Sequence, residues 1–193
     1  PLAPFYHFAM ARHLGAREPV AFLNVGGVAN ITWADPRAAA PEAPGALIAF
    51  DTGPGNALID DFVRARAGVA LDMEGRLAGA GTVQARYLAS NAAAAFLARR
   101  PPKSLDRDAF QAVRAAVAPL STEDGAATLT AYTADCVAAA LPHLPVPPAR
   151  WLVCGGGRHN ATLMRMLAER LGAPVEPVEA AGLDGDMLEA QAF

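Results

Sequence analysis

Apolar and polar positions alternate with two different periods along this chain, and the changes of period outline its elements. Residues 20–25 and 28–33 are short β-rich runs separated only by Gly26 and Gly27, a hairpin signal. Residues 46–50 form a third run of strand character, ending at Asp51. Between them, residues 38–45 hold Pro41, Pro44 and Gly45 and read as a loop. From about Gly55 to Ala67 the period becomes helical, with Ala57, Leu58, Phe62 and Ala65 on one face. A short helix over residues 4–14 precedes the hairpin.

The middle of the chain is helical in character. Residues 71–81 are turn-rich, and a helix capped by Thr82 is expected to run to Arg99, where Pro101 and Pro102 stop it. A short helix follows over residues 108–117. Ser121 or Thr122 then opens a long helix to about Ala140, with Leu129, Thr133, Cys136, Val137 and Ala140 at helical spacing. Residues 151–154 read as a strand. Residues 160–171 read as a helix with Leu163, Met164, Leu167 and Leu171 inward and an outward Arg165–Glu169 pair. A last strand is expected over 174–178, then a helix capped by Asp184 or Asp186. This order predicts one α/β domain with a mixed sheet opened by a hairpin, interrupted by a helical insertion at about residues 70–120.

Composition narrows the class. With 193 residues, 53% hydrophobic and 18% charged, the chain can bury a real core. Net charge is −3 and no basic block of five or more occurs, which argues against nucleic acid as a partner. No apolar run approaches the ~18 residues of a membrane span, so neither a membrane partner nor any location but the cytoplasm is expected. Cys136 and Cys154 are isolated in apolar runs and read as buried small hydrophobes in a reducing compartment. The chain opens at Pro1 without a start Met and closes at Phe193 in a helix-like run, so a fragment is expected.

Candidate chemistry lies in three glycine-rich turns, each ending an apolar run. The first is Asn24, Val25, Gly26, Gly27, Val28, Ala29, Asn30. The second is Asp51, Thr52, Gly53, Pro54, Gly55, Asn56. The third is Gly155, Gly156, Gly157, Arg158, His159, Asn160. Glycine lets backbone N–H groups approach an anion without a Cβ in the way, so three such turns predict a polyphosphate site. Asn24 and Asn30 would add side-chain donors, although Gly26 and Gly27 also suit a plain hairpin. Asp51, where a strand hands over to a helix, suits Mg²⁺ directly or through water, or a cap. Gly53 and Gly55 would free the helix N-terminus for an anion. Gly155 to Gly157 would take adenosine, or only allow close packing, and Asn160 most simply caps its helix. The histidines at 7, 13, 143 and 159 lack metal spacing. Lys103 and Arg107 read as a solvated loop. There is neither a Walker P-loop nor a G-x-S-x-G elbow.

Several stretches together resemble the carboxyl-terminal half of the anhydro-N-acetylmuramic acid kinase family, within the sugar kinase, Hsp70 and actin superfamily. They are P-L-A-P-F-Y-H, L-N-V-G-G-V-A-N-I-T, D-T-G-P-G-N-A-L-I-D, P-K-S-L-D-R-D-A-F, V-C-G-G-G-R-H-N-A-T-L-M and G-D-M-L-E-A-Q-A-F, and they span nearly the whole chain. The resemblance implies a ribonuclease H-like, actin/hexokinase-type domain with a five-stranded mixed sheet and helices on both faces, the C-terminal lobe of a two-lobe kinase. It makes the Gly26–Gly27 hairpin the second phosphate loop, sets Asp51 to Asn56 near phosphates and Mg²⁺, and sets Gly155 to Gly157 near adenosine. Glu189 matches a glutamate expected to bond the sugar, against the plain reading of an exposed helix residue. The implied reaction uses ATP and water to convert 1,6-anhydro-N-acetylmuramic acid to N-acetylmuramic acid 6-phosphate in peptidoglycan recycling, in a homodimer. The general base would lie just upstream of Pro1, so these 193 residues alone are expected to be inactive. Alternatives are a kinase of another amino sugar, a non-catalytic nucleotide-binding module, or a dinucleotide oxidoreductase using Gly155 to Gly157 and Glu179.

Overall fold

A computed structural model describes residues 2–88, 94–105 and 110–188. The opening helix α1 (Ala3–His13) leads into β1 (Val20–Val25), β2 (Val28–Ala34) and β3 (Leu47–Pro54), followed by α2 (Ala57–Ala67). Short helices α3 (Arg76–Ala80), α4 (Ala85–Leu88), α5 (Ala94–Ala98) and α6 (Gln111–Ala116) come next. The chain then forms α7 (Thr122–Ala138), β4 (Arg150–Cys154), α8 (Ala161–Leu171) and β5 (Val175–Pro177). The sheet order is β3-β2-β1-β4-β5. β2 is antiparallel to both β1 and β3, and β4 runs parallel to β1 and β5. The expected mixed five-stranded sheet opened by a hairpin is therefore present.

Strand alternation assigns each side chain to a face. Ala21, Leu23, Val25, Ile31, Trp33, Trp151 and Val153 pack against α7 and α8. Val20, Phe22, Leu152 and Cys154 turn the other way, toward Phe8 and Ala11 of α1 and toward Val178 and Leu188. Helices thus cover both faces. A further cluster joins α2 to α7 through Leu58, Phe62, Val63, Leu129 and Tyr132, with Phe110 and Val113 from the middle segment. α7 consequently has two apolar fronts, and twelve of its residues are buried rather than the single stripe its spacing predicts.

Other expectations need correction. The turn-rich stretch contains α3, because Asp72 accepts hydrogen bonds from Leu77 N (2.8 Å) and Ala78 N (2.9 Å) and so caps a helix. The helix expected from Thr82 to Arg99 appears as α4 and α5, with residues 89–93 outside the described set. Thr82 N donates instead to Asp124 Oδ1 (2.8 Å), and Gln84 N to Thr128 Oγ1 (3.0 Å), which holds residues 82–84 against α7. β3 continues past Asp51 to Pro54, because a register shift between Ala29 and Asn30 lets β2 follow it. In α8 Met166 is the buried methionine, and Met164 is partly buried. Cys136 and Cys154 are both buried and are not joined in a disulfide. No helix among the described residues is long and apolar enough to cross a membrane.

One contact fixes the turn after β3 relative to the core. Thr133 is fully buried, and its Oγ1 donates to Gly55 O (3.2 Å). Thr133→Val keeps the shape but leaves that carbonyl without its donor, and is expected to lower stability by about 1 kcal/mol. Urea unfolding followed by the fluorescence of the buried Trp33 and Trp151 checks this.

Candidate functional site

β1, β3 and β4 all point their carboxyl ends to one edge of the sheet, so the three glycine turns meet there. The hairpin carbonyls accept from the next turn: Gly55 N to Gly27 O (3.0 Å), Asn56 N to Gly26 O (2.7 Å) and Ala57 N to Gly27 O (3.3 Å). Asn56 Nδ2 adds a bond to Val25 O (3.1 Å). A Cβ on Gly55 would overlap Gly26 O, and one on Gly53 would come 2.6 Å from Cys136 Cβ, so neither position has room for a side chain. This differs from the expectation that Gly53 and Gly55 free the N-terminus of α2 for an anion. The amides of Gly55, Asn56 and Ala57 are already engaged by the hairpin.

The third turn packs on the first. Gly155 has φ +71°, in the left-handed region open to glycine, and a Cβ there would overlap Asn24 Oδ1. A Cβ on Gly157 would come 2.5 Å from Val25, whereas one on Gly156 would make only ordinary contact with Asn56 Nδ2 at 3.6 Å, and Gly156 is exposed. Gly27 at the hairpin tip is also exposed. Asn160 caps α8, its Oδ1 accepting from Leu163 N at 2.9 Å.

Register brings the polar residues into a row. Cys154 pairs with Asn24, Asn24 with Asn30, and Asn30 with Asp51, so four strands contribute one line of side chains on the face toward α1. The row floors a cleft of about 290 Å³ that also contacts His7 and Thr32. Asp51 Oδ2 accepts from Leu105 N (2.7 Å), while burial pushes its carboxyl above the ordinary range. A second cleft of about 290 Å³ shares Asn24 and Cys154 with the first, and is bordered by Gly26, Gly155, Arg158 and His159. A third, of about 300 Å³, lies between Asn56, Asp60, Met73 and Gly156, His159, Asn160. Shared lining residues join the three into one crevice along the sheet edge.

The arrangement contains residues that spacing did not single out. Arg158 is buried, with Nε on Glu179 (2.7 Å), Nη2 on Asp186 (2.6 Å) and Nη1 on Gly155 O (2.9 Å). Glu179 is thereby engaged, and the antiparallel hairpin is foreign to a dinucleotide-binding half, so the oxidoreductase reading loses the support of Glu179 and meets a fold that does not suit it. Asp184 Oδ1 accepts from Asp186 N (3.0 Å) and Met187 N (3.2 Å), and residues 189–193 of the helix expected there lie outside the described residues. Lys103 is not in a solvated loop. Its Nζ is buried against Phe96 O (3.2 Å) and Leu97 O (3.1 Å), over the rings of Phe50 and Phe96. Its carbonyl accepts from Asp51 N (3.1 Å), so Lys103 and Leu105 together hold Asp51 from outside the sheet. Glu189 lies outside the described residues. No group of three or more His, Cys, Asp or Glu among the described residues is gathered around a metal position. A lone carboxylate still suits Mg²⁺, which takes one or two carboxylates and completes its shell with phosphate oxygens and water.

The family model for anhydro-N-acetylmuramic acid kinase matches residues 1–193. The chain is 63% identical over 193 residues to anhydro-N-acetylmuramic acid kinase of Cereibacter sphaeroides and 56% identical to that of Ruegeria sp. strain TM1040, covering all of this chain and 52% of each relative. It thus spans about half the length of these curated relatives. Among solved structures, the activator of the 2-hydroxyisocaproyl-CoA dehydratase from Clostridium difficile, with ADPNP bound, aligns with a TM-score of 0.58 at 11% identity. That alignment covers 98% of this chain and 66% of the activator. Component A of the (R)-2-hydroxyglutaryl-CoA dehydratase of Acidaminococcus fermentans aligns with a TM-score of 0.58 at 14% identity, covering 99% of this chain and 68% of that one. These likenesses are of fold and agree with a ribonuclease H-like α/β domain. By its whole-length family match and these identities, the chain belongs to the anhydro-N-acetylmuramic acid kinase family.

Proposed function

We propose that this chain is the C-terminal lobe of a two-lobe kinase that converts 1,6-anhydro-N-acetylmuramic acid to N-acetylmuramic acid 6-phosphate in peptidoglycan recycling. The observation that carries the reading is the meeting of three glycine turns beside Asp51 on one sheet edge, in a chain of this family. The γ-phosphoryl of ATP goes to the sugar O6. Water adds at C1 as the C1–O6 bond opens, so one ATP and one water give the phosphorylated sugar and ADP. The cytoplasmic location and the homodimer belong to the same proposal.

Each part of the crevice then has a role. Adenosine lies along Gly155, Gly156 and Gly157, beside Asn160. Phosphates lie over Gly26 and Gly27, bordered by Asn24 and Asn30. Gly53, Gly55 and Asn56 act indirectly, because they lock the hairpin in place. Asp51 holds Mg²⁺ directly or through water, and the ion supplies charge neutralisation on the phosphates. Glu189 bonds the sugar. The general base comes from sequence outside this chain. Phosphoryl transfer depends on positioning and charge neutralisation, so the 193 residues alone are expected to be inactive, the missing base alone costing ~10²–10⁴ in rate.

The test uses the full-length protein with 1,6-anhydro-N-acetylmuramic acid, ATP and Mg²⁺, with the product read by mass spectrometry. A sugar heavier by one phosphate and one water is expected. An unchanged sugar, from a protein that still binds ATP, overturns the substrate assignment.

Asp51→Asn separates the function of that carboxylate from its cost. Loss of the charge beside the phosphates is expected to lower kcat by roughly 10²-fold or more. Stability is expected to move the other way. Burial raises the native pKa of Asp51 above its unfolded value, so the wild type loses stability as pH rises through the native pKa. Asparagine carries no such charge and can keep the Leu105 bond. The variant is expected to match wild type below about pH 4, where an ordinary aspartate is neutral, and to become relatively more stable toward pH 7. Urea midpoints across that range check the sign.

A further inference from the structure

His7 occupies an unusual position for a helix residue. It is 5% exposed, and its ring lies flat on Phe22, with centroids 4.6 Å apart and planes within 5°. Nδ1 is sealed from solvent with no hydrogen-bond partner among the described residues. The ring borders the cleft floored by Asn24, Asn30 and Asp51. Orphaned buried N–H donors are rarer than under-used acceptors. The tautomer that leaves a bare lone pair on Nδ1 therefore costs least and puts the proton on Nε2. Burial also depresses the pKa of His7 to about 4, so near pH 7 the ring is a neutral donor rather than a cation.

The two adjoining clefts differ in chemistry. The one bordered by Gly26, Gly155 and Gly156 allows close backbone approach, which suits phosphate, while its Arg158 is engaged by Glu179 and Asp186. The one bordered by His7 has no lysine or arginine in its described lining; it offers two amides, the Thr32 hydroxyl and a single carboxylate. Such a lining offers hydrogen-bond partners to the hydroxyl, ether and amide groups of a sugar ring. A buried nitrogen with no partner is also a standing loss of stability. Function accounts for keeping it, because a ring fixed by Phe22 offers its other nitrogen in one direction.

We infer that His7 is a substrate-contacting, specificity-determining residue, donating from Nε2 to an oxygen of the sugar acceptor, with Phe22 fixing the ring plane. The inference rests on the kinase reading above. His7→Phe, His7→Gln and Phe22→Leu in the full-length protein test it. His7→Phe is expected to raise KM for 1,6-anhydro-N-acetylmuramic acid roughly ten-fold or more, with KM for ATP within two-fold. The same substitution removes the orphaned nitrogen, so its urea midpoint is expected to equal or exceed that of wild type. A merely structural histidine would not give that pair of opposite signs. His7→Gln restores a donor and is expected to recover part of the loss. Phe22→Leu loosens the ring and is expected to raise the sugar KM alone. An unchanged sugar KM in His7→Phe overturns the inference, as does a parallel rise in both KM values with a lowered urea midpoint. The ¹⁵N spectrum of the wild-type imidazole gives a readout independent of turnover: the proton is expected on Nε2, and a proton on Nδ1 overturns the inference. A wild type that leaves the sugar unchanged overturns the kinase reading instead. The tautomer and the stability of His7→Phe then still decide whether His7 is held as a donor toward the cleft.

Discussion

The clamp between the β1–β2 hairpin and the turn after β3 is the constraint on which the rest of this edge depends. Two glycine carbonyls accept three consecutive amides, Asn56 closes the arrangement through Val25 O, and Thr133 holds Gly55 from below. Its tightness explains the glycines: a Cβ on Gly55 would overlap the hairpin carbonyl, and one on Gly155 would overlap Asn24. Hairpin, β3 turn and β4 turn are therefore mutually fixed. The amides that open α2 are taken up by the hairpin carbonyls. Backbone packing decides which donors any ligand meets.

Much of the fold was legible in the sequence. Gly26 and Gly27 between two β-rich runs sufficed for the hairpin, and Ser121 and Asn160 accept from the amides of Asp124 and Leu163 as N-caps should. The failures have physical causes. α7 packs against two clusters, so its burial exceeds what a single stripe reveals. α3 depends on the Asp72 carboxylate, which looks like an ordinary turn residue until Leu77 and Ala78 are seen to donate to it. The segment after Thr82 is extended because α7 offers it Asp124 and Thr128, partners some forty residues away.

The site was legible in its residue types and not in its supports. Asn24, Asn30 and Asp51 stand out as polar residues in apolar runs, and their alternation already places them on the face opposite Ile31 and Phe50. Their common row needed the register, including the shift between Ala29 and Asn30. Lys103 and Arg158 gave no signal, because a cation in a loop reads as solvated. In the fold, Lys103 is caged by carbonyls and phenyl rings and ties its segment to Asp51, while Arg158 binds the Gly155 turn to Glu179 and Asp186.

The two faces of the sheet obey different rules. Toward α7 and α8 the strands present apolar side chains that close a core. Toward α1, near the carboxyl edge, the same strands hold a carboxylate with a raised pKa and face a histidine with an orphaned nitrogen. Each is unfavourable for folding taken alone, and apolar residues of similar size would remove the cost. Local conflicts of this kind gather where a protein trades stability for a ligand. Both fall on one cleft, one strand pair from the glycine turns. Asp51 and His7 and the backbone glycines point to the same edge by independent physical routes, one through desolvation and the other through steric access, while the buried polar atoms of Thr130, Tyr132, Arg150 and Trp151 that lack a hydrogen-bond partner among the described residues lie away from that cleft.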